Sequence, residues 1–237
     1  MPYLFNKKVK ELQPLSGQVY LQIKSLILRN EIMPGQKLHH QALSDRLGVS
    51  RTPVREALSR LVQEGYVTLL PNRDFVCKEI GLQEAEELYD LRECLEVFAI
   101  EKAILNAGDR ALEKLRQKID LYGSDTRRRF TRERLIYDRD IHLEIARISG
   151  NETLRRALIQ VFERIILKRK TDGLYDLARG ASAHQEHLQL LEALRGRNVN
   201  AAVRNIREHV QQGKGHVLAD LRQKQEIRDS QFVESAG

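Results

Sequence analysis

The chain has 237 residues, of which 41% are hydrophobic and 31% charged, with a net charge of +7. This length allows two domains, and the composition is ordinary for a helical globular protein. No apolar run approaches the roughly 20 residues of a membrane-spanning helix, which excludes a membrane protein. The N-terminus lacks the order of a secretory signal, so we expect a cytoplasmic location. The two cysteines, Cys77 and Cys94, have no metal-binding or disulfide pattern.

Positive charge is concentrated at the start of the chain. Residues 1–78 contain 12 Lys and Arg against 6 Asp and Glu, so the other 159 residues contribute only +1. A basic segment favours a polyanionic partner through counterion release, although it is also common on proteins that never bind nucleic acid. Beyond this segment the pattern changes to long helices without proline. We therefore predict one domain over residues 1–78 and a second over residues 79–237.

Three helices are predicted in the first domain. Apolar residues at helical spacing predict a first helix within residues 15–32, ending near Asn30. A second helix is expected over residues 39–47 and a third over residues 52–64. Gly48 lies between them and can adopt the left-handed conformation that ends a helix. The layout is that of a helix-turn-helix.

The third helix carries polar residues suited to DNA at its start. Ser50 or Thr52 can cap the helix, and Pro53 suits a first helical turn. Arg51 and Arg55 add cations that can bind phosphate oxygens or the edge of guanine in the major groove. For two arginines alone, ordinary solvated charges are the simpler interpretation.

A β-hairpin is predicted after the third helix. Residues 66–70 and 75–77 are rich in β-branched and aromatic residues, and residues 71–74 form a turn between them. Arg73 at the tip could reach a minor groove or a phosphate, and a solvated turn cation is an equally good interpretation.

The run from Gly48 to Leu58, preceded by Met-Pro-Gly-Gln-Lys-Leu at residues 33–38, resembles the signature of the GntR family of bacterial transcription regulators. The resemblance implies a winged helix-turn-helix that binds operator DNA as a homodimer, with a C-terminal domain that senses an effector. Two features depart from the family pattern: Asp74 follows the wing arginine in place of glycine, and residues 39–41 lack the usual Arg or Glu. The residues predicted to contact DNA are Arg46, Ser50, Arg51, Thr52, Arg55 and Arg73.

The second domain is predicted to be an all-α antiparallel bundle of six to seven helices, so the fold class is mainly α. Glycines at positions 108, 123, 150, 173 and 196 separate the helices. The last dozen residues are polar, and we expect a frayed end. The helices are predicted near residues 82–106, 109–123, 129–149, 151–171, 175–195 and 198–225.

Polar residues interrupt the apolar faces of three of these helices. Asp138 and His142 are four residues apart on one face, so that a carboxylate and an imidazole can converge on one ion. His187 and His209 interrupt two other apolar faces. Taken singly, each histidine is better explained as a hydrogen-bonded core residue, and Asp138 with His142 as a buried pair. Burying all four unpaired would cost several kcal/mol, which a shared cation would remove.

Asp-x-x-x-His at residues 138–142, followed by Ser-Gly-Asn at 149–151, Glu-His at 186–187 and a later His209, is similar to the FadR-type (FCD) C-terminal domain of GntR regulators. Arg-x-x-x-Glu within residues 91–96 looks like a segment of that domain's first helix. The similarity is to the subgroup whose helical bundle holds a divalent metal. It implies metal binding by Asp138, His142, His187 and His209.

The resemblance also implies an effector, typically a small carboxylate, that completes the metal's coordination. This ligand chemistry suits zinc or nickel, with iron or manganese also compatible. Arg92 is a candidate for binding the effector carboxylate through two parallel hydrogen bonds. An ion pair with Glu96 on the helix surface is an equal alternative for Arg92. His184 is expected at the periphery of the site or on the surface.

These features predict a transcription regulator whose operator affinity depends on a small organic acid bound at a metal site. Two alternatives use the same residues. A metal-dependent hydrolase could activate water at the cluster, but no general base stands out and the basic N-terminal motif would be unexplained. A dedicated metal sensor would respond to the ion itself.

Overall fold

A computed structural model describes residues 14–29, 31–124, 132–169 and 177–235. The chain divides into two compact units. One takes the described residues of Met1–Glu79 and Ile166–Lys170, and the other those of Ile80–Ile165 and Thr171–Gly237. The predicted ends at Asn30 and at residues 129, 171 and 175, and the break at Gly173, lie outside the described residues.

The first unit contains a three-helix core and a small sheet. The second and third helices begin or end within one residue of the prediction, and the first ends at Leu28. The first and third helices share a core in which Val19, Ile23, Leu58 and Leu61 are fully buried. The elements are α1 (Leu15–Leu28), β1 (Lys37–Leu38), α2 (His40–Leu47), α3 (Arg51–Gln63), β2 (Val67–Leu69) and β3 (Phe75–Cys77).

The turn from α2 to α3 has the geometry that its residues predict. Gly48 has a φ of 65°, which is the left-handed conformation that ends α2. Ser50 is the N-cap residue of α3, but its side chain makes no cap hydrogen bond. Pro53 lies in the first turn of α3. A backbone N–H at this place would have no partner within the helix, so the missing N–H of proline costs no hydrogen bond.

The sheet is antiparallel, with strand order β1-β3-β2. The predicted hairpin is present as β2 and β3, whereas β1 was not predicted. Lys37 and Leu38 pair with Val76 and Phe75 of β3, and the Cys77 N–H donates to the Gln36 carbonyl at 2.9 Å. A two-residue strand is too short to show the alternation of buried and exposed side chains that identifies strands in a sequence, so β1 could be recognised only from its pairing with β3.

The second unit consists of six helices in its described part, close to their predicted positions. The last helix continues to Ser235 instead of ending near residue 225. The predicted end near residue 225 is ten residues too early, because residues 226–235 contain no glycine or proline that would stop a helix. The helices are α4 (Leu82–Asn106), α5 (Asp109–Gly123), α6 (Arg132–Ile148), α7 (Glu152–Lys168), α8 (Leu177–Arg195) and α9 (Val199–Ser235).

The largest apolar core of this unit is built by five of its helices. It positions the inward faces of α6, α8 and α9, on which the candidate ligands lie. A second cluster joins α4, α7 and α9. Representative residues of the first core are Ile100 and Ile104 on α4, Leu115 and Ile119 on α5, Ile141 and Ile145 on α6, Leu190 and Leu191 on α8, and Ile206 on α9.

Within the described residues, the helices are all too short or too polar to cross a lipid bilayer.

Candidate metal centre

Asp138, His142, His187 and His209 converge at one point inside the second unit. One ligand atom from each lies within 4.8 Å of those of the others. The Asp138 Oδ1 atom is 3.3 Å from His187 Nε2 and 3.7 Å from the Nε2 atoms of His142 and His209. The three histidines are buried, and the Asp138 side chain is 20% exposed. Four polar residues from three helices thus form one cluster.

The apolar pattern of each helix explains why these side chains point inward. On α6, His142 follows Ile141, which is fully buried, and one helical turn separates His142 from Asp138. His187 lies within a turn of Leu190, and His209 precedes Val210, both buried. Burial of these apolar faces therefore carries the ligands to the centre of the bundle.

Two carboxylates contact the Nδ1 atoms of His142 and His209, the ring nitrogens that point away from the cluster. His209 Nδ1 donates to Glu186 Oε2 at 2.6 Å, and His142 Nδ1 contacts Glu96 Oε2. A neutral imidazole with its proton on Nδ1 has a lone pair on Nε2. In that tautomer the Nε2 atoms of His142 and His209, which lie 3.1 Å apart, can both act as ligands to a cation in the cluster. Such carboxylate–histidine pairs are typical of metal sites.

The donor set fits a divalent transition metal. Bonds of about 2.1 Å in tetrahedral geometry would separate the ligand atoms by about 3.4 Å. The distances from Asp138 Oδ1 to the three nitrogens and the distance between His142 and His209 range from 3.1 to 3.7 Å. A cation bound among them would offset the repulsion between their lone pairs in this buried place.

Arg92 lies against this cluster. Its Nε donates to Glu96 Oε1 at 2.5 Å, and its Nη2 is 2.8 Å from His142 Nε2 and 3.5 Å from Asp138 Oδ2. The guanidinium also covers the ring of Phe162 at 4.5 Å. The ion pair with Glu96 is therefore present, but it is buried and not on the helix surface as the alternative interpretation supposed. Arg92 supplies a positive charge next to the candidate metal ligands.

Electrostatics favour an ionised Asp138 and a neutral His187, whereas burial would lower the pKa of His142 but the charges of Glu96 and Asp138 raise it. Burial alone would raise the pKa of Asp138, but the charge of His142 and hydrogen bonds from all three histidines hold that pKa well below its usual value. Burial and the nearby charge of His209 lower the pKa of His187 to about 3. Burial would also raise the pKa of Glu96, which Arg92 and His142 lower to about 2. Asp138 is thus ionised and His187 neutral at pH 7, whereas His142 has to give up its extra proton before it can bind a metal.

His184 is half-buried one turn before His187 and is not part of the cluster. Its ring packs over Gly123, where an added Cβ would lie 2.5 Å from His184 Nε2. Glycine at the end of α5 therefore permits the close approach of this ring.

The predicted DNA-contacting residues of the helix-turn-helix lie on the surface of the first unit. Ser50, Arg51, Thr52 and Arg55 are exposed at the start of α3, while the buried face of that helix carries its apolar residues. Arg46 is exposed on α2 and forms an ion pair with Glu31. The start of α3 thus presents hydroxyl and guanidinium donors together.

Arg73 lies at the exposed tip of the hairpin with a φ of 64°, so the left-handed turn residue is Arg73 and not Asp74. The lack of glycine at position 74 therefore costs no backbone strain. The Asp74 carboxylate accepts a hydrogen bond from Asn72 Nδ2 at 3.0 Å and lies 3.6 Å from Lys37 Nζ. The negative charge of Asp74 is thereby compensated within the sheet.

The roles of two carboxylates were not predicted from the sequence. Glu96 was expected only as a surface partner of Arg92, and Glu186 only as part of a motif. Both carboxylates lie behind cluster histidines. The role of Glu96 could have been predicted, because Glu96 lies four residues after Arg92 and therefore on the same face of the helix.

Comparisons with known proteins agree for both units. The model for bacterial regulatory proteins of the gntR family matches residues 15–76, and the FCD domain model matches residues 87–212. The chain is 30% identical over 189 residues to the Nta operon transcriptional regulator of Aminobacter aminovorans, which covers 80% of this chain and 88% of that protein. It is also 26% identical to the HTH-type transcriptional repressor GlaR of Escherichia coli, in a match that covers 81% of this chain and 90% of that protein.

Among solved structures, E. coli McbR/YncC superimposes with a TM-score of 0.72 and 26% identity, covering 90% of this chain and 99% of that one. These relatives are described as transcription regulators and not as enzymes.

Proposed function

The chain belongs to the GntR family of bacterial transcription regulators and carries an FCD domain, and from this we propose that a small carboxylate bound at a metal site controls its affinity for DNA. The prediction of a DNA-binding regulator is confirmed by the family. The metal, the carboxylate effector and the residues that contact DNA are the proposed parts.

One observation carries the metal proposal. The ligand atoms of Asp138, His142, His187 and His209 all lie within 4.8 Å of one another, and Glu96 and Glu186 contact the Nδ1 atoms of His142 and His209. A core histidine needs only one hydrogen-bond partner, whereas one shared cation could satisfy three convergent Nε2 atoms and a carboxylate together. Nitrogen-rich ligation with one carboxylate suits zinc or nickel.

Arg92 supports the choice of a carboxylate effector. A bound metal would supply a positive charge that attracts an anionic oxygen. The Arg92 guanidinium lies beside the same ligands and offers donors in a planar fork that matches a carboxylate. The 20% exposure of the Asp138 side chain indicates that one side of the cluster is open to solvent. A small organic acid could enter from that side.

We infer DNA binding through the start of α3 in a homodimer on a palindromic operator. Arg51, Thr52 and Arg55 would face the major groove, with Arg46 and Arg73 at its borders. An effector can change operator affinity only if it binds the two arrangements of the dimer unequally. The α3 helices of the two copies would then change their separation.

The test combines metal analysis with operator binding. We expect protein purified without chelator or added metal to contain about one transition metal per chain. An operator is first obtained by selection from random duplexes, and its affinity is then measured with metal alone and with metal plus a panel of small carboxylates. A carboxylate-dependent change supports the proposal. A change with metal alone would identify a metal sensor, and absence of metal after incubation with zinc and nickel would refute the site.

A further inference from the structure

Arg92 contacts the atom of His142 that a metal ion would use. Arg92 Nη2 lies 2.8 Å from His142 Nε2, and the nitrogens of a guanidinium carry N–H donors only. The contact therefore uses the lone pair of Nε2. Each imidazole nitrogen has a single lone pair, so Nε2 cannot accept a hydrogen bond from Arg92 and bind a metal ion at the same time. Arg92 thus competes with a metal ion for His142.

The charge of Arg92 makes this competition strong. Burial alone would lower the pKa of Arg92, but the charges of Glu96 and Asp138 raise it above its usual value, so the guanidinium remains charged. Arg92 is only 3% exposed, and solvent screens a buried charge weakly. Its Nη2 atom also lies 3.5 Å from Asp138 Oδ2. The guanidinium therefore supplies a positive charge to two of the four candidate ligands, and it opposes the entry of a second cation.

Other contacts hold Arg92 in place without fixing the position of Nη2. Its Nε atom donates to Glu96 Oε1 at 2.5 Å. Its Cζ atom lies 4.5 Å from the centre of the Phe162 ring and 5.4 Å from that of the Tyr89 ring. An aromatic face attracts a cation without selecting the direction of its N–H groups. A change of side-chain torsion can therefore carry Nη2 away from His142 while Arg92 stays beside Glu96 and Phe162.

We propose that Arg92 is a switch within the metal centre: it holds His142 Nε2 until a metal ion binds that atom, and it then turns its Nη2 donors to the carboxylate of the effector. The inference rests on the proposed metal and effector and specifies the order in which they bind. The metal ion should bind first, because its binding to His142 releases the donor that the carboxylate then uses.

The balance of charge supports the same order. Glu96 and Asp138 carry two negative charges, and Arg92 carries one positive charge. Glu186 is already paired with Arg179 at 2.7 Å. This set of groups is therefore negative before a metal binds, and it repels a carboxylate. A divalent metal ion makes the same set positive, and a carboxylate is then attracted to it. By linkage, a carboxylate that binds the loaded site better also raises the affinity of that site for the metal.

The first experiment measures the zinc affinity of the full chain without added carboxylate, by competition with a chelating indicator at neutral pH. Arg92→Gln should bind zinc at least about tenfold more tightly than the unchanged protein, because zinc no longer has to break a hydrogen bond to a charged group. Glutamine can still donate a hydrogen bond to Glu96, which contacts His142 Nδ1. If Arg92 only supported Glu96, its removal would give the opposite result, which is weaker zinc binding.

Arg207→Gln is the matched control. Arg207 also pairs with a glutamate of α4, Glu93, at 3.1 Å, but its side chain is 51% exposed and lies outside the cluster. This variant loses the same charge and should bind zinc like the unchanged protein. Equal gains in both variants would show an effect of net charge and overturn the inference. Equal or weaker zinc binding in Arg92→Gln would overturn it and leave the metal site standing, whereas failure of the unchanged protein to bind zinc would overturn both.

A crystal structure tests the switch without any substitution. Crystals of the full chain grown with a chelator should retain the hydrogen bond between Arg92 Nη2 and His142 Nε2. In crystals grown with zinc, these two atoms should lie more than about 3.5 Å apart, while Arg92 Nε stays on Glu96. Zinc held by the other three ligands, with Arg92 still on His142, would refute the competition.

Acetate tests whether Arg92 turns to a carboxylate. It should raise the zinc affinity of the unchanged protein, and it should raise that of Arg92→Gln by a smaller factor, because glutamine lacks the charged fork of donors. An equal rise in both proteins would refute the turn of Arg92 toward the effector.

Discussion

Replacing Glu186 with glutamine should weaken metal binding without removing a ligand. Glu186 Oε2 accepts the proton of His209 Nδ1 at 2.6 Å, and its carboxylate is also held by Arg179 at 2.7 Å and by Ser182 at 2.9 Å. Hydrogen bonds from His209 and Arg179, acting against partial burial, lower the pKa of Glu186 to about 2, so that it is ionised at neutral pH. The negative charge makes His209 a better donor to a cation.

Loss of a carboxylate behind a metal-binding histidine typically reduces affinity about 10- to 100-fold, which corresponds to about 1.4 to 2.7 kcal/mol. We expect this range for Glu186→Gln, because glutamine can still accept the Nδ1 proton but carries no charge. Zinc affinity is measured by competition with a chelating indicator at neutral pH.

Glu192→Gln is the matched control for this measurement. Glu192 lies on the same helix and pairs with Arg195 at 3.0 Å, where both side chains are largely exposed. It should bind zinc as tightly as the unchanged protein. Unchanged affinity in Glu186→Gln would refute the role of the carboxylate behind His209, and equal losses in both variants would show a general effect of charge.

Three further predictions concern the DNA surface, the ligands and acid stability. Arg55→Ala should weaken operator binding by about 1 to 3 kcal/mol while the metal content stays unchanged. Operator affinity is measured by gel-shift titration, and Arg116→Ala, at an exposed position on α5, is the control. Unchanged affinity in Arg55→Ala would refute the assignment of α3 as the DNA-contacting helix. His187→Ala should lower the metal content measured by elemental analysis, and full occupancy would remove His187 from the ligand set. Because the pKa of Glu96 is lowered to about 2 in the folded chain, its contribution is complete above about pH 4.5 and is lost as the pH falls toward 2. The free energy of unfolding in urea should therefore drop by about 3 kcal/mol over this range, and a drop of the same size in Glu96→Gln would refute the assignment.

The sequence alone determined the elements and the inward faces. Gly48 between two apolar-periodic segments defined the helix-turn-helix, and glycines between long periodic segments defined the helices of the second unit. Asp138, His142, His187 and His209 could be recognised because each interrupts an apolar stripe, and a stripe reports which side of a helix is buried. This information is local, since it depends on residues within a few turns of each other.

Only the tertiary structure decided how those inward faces meet. Periodicity does not report which buried faces are neighbours, so the distances of 3.1 to 3.7 Å between ligand atoms come from the packing of α6, α8 and α9. The same limit applies to the contact of Glu96, on α4, with His142, on α6, and to the two-residue strand β1, which exists through its partner β3. Arg92 illustrates the difference: its pairing with Glu96 follows from a spacing of four residues, but its burial beside the cluster follows from the helices packed around it.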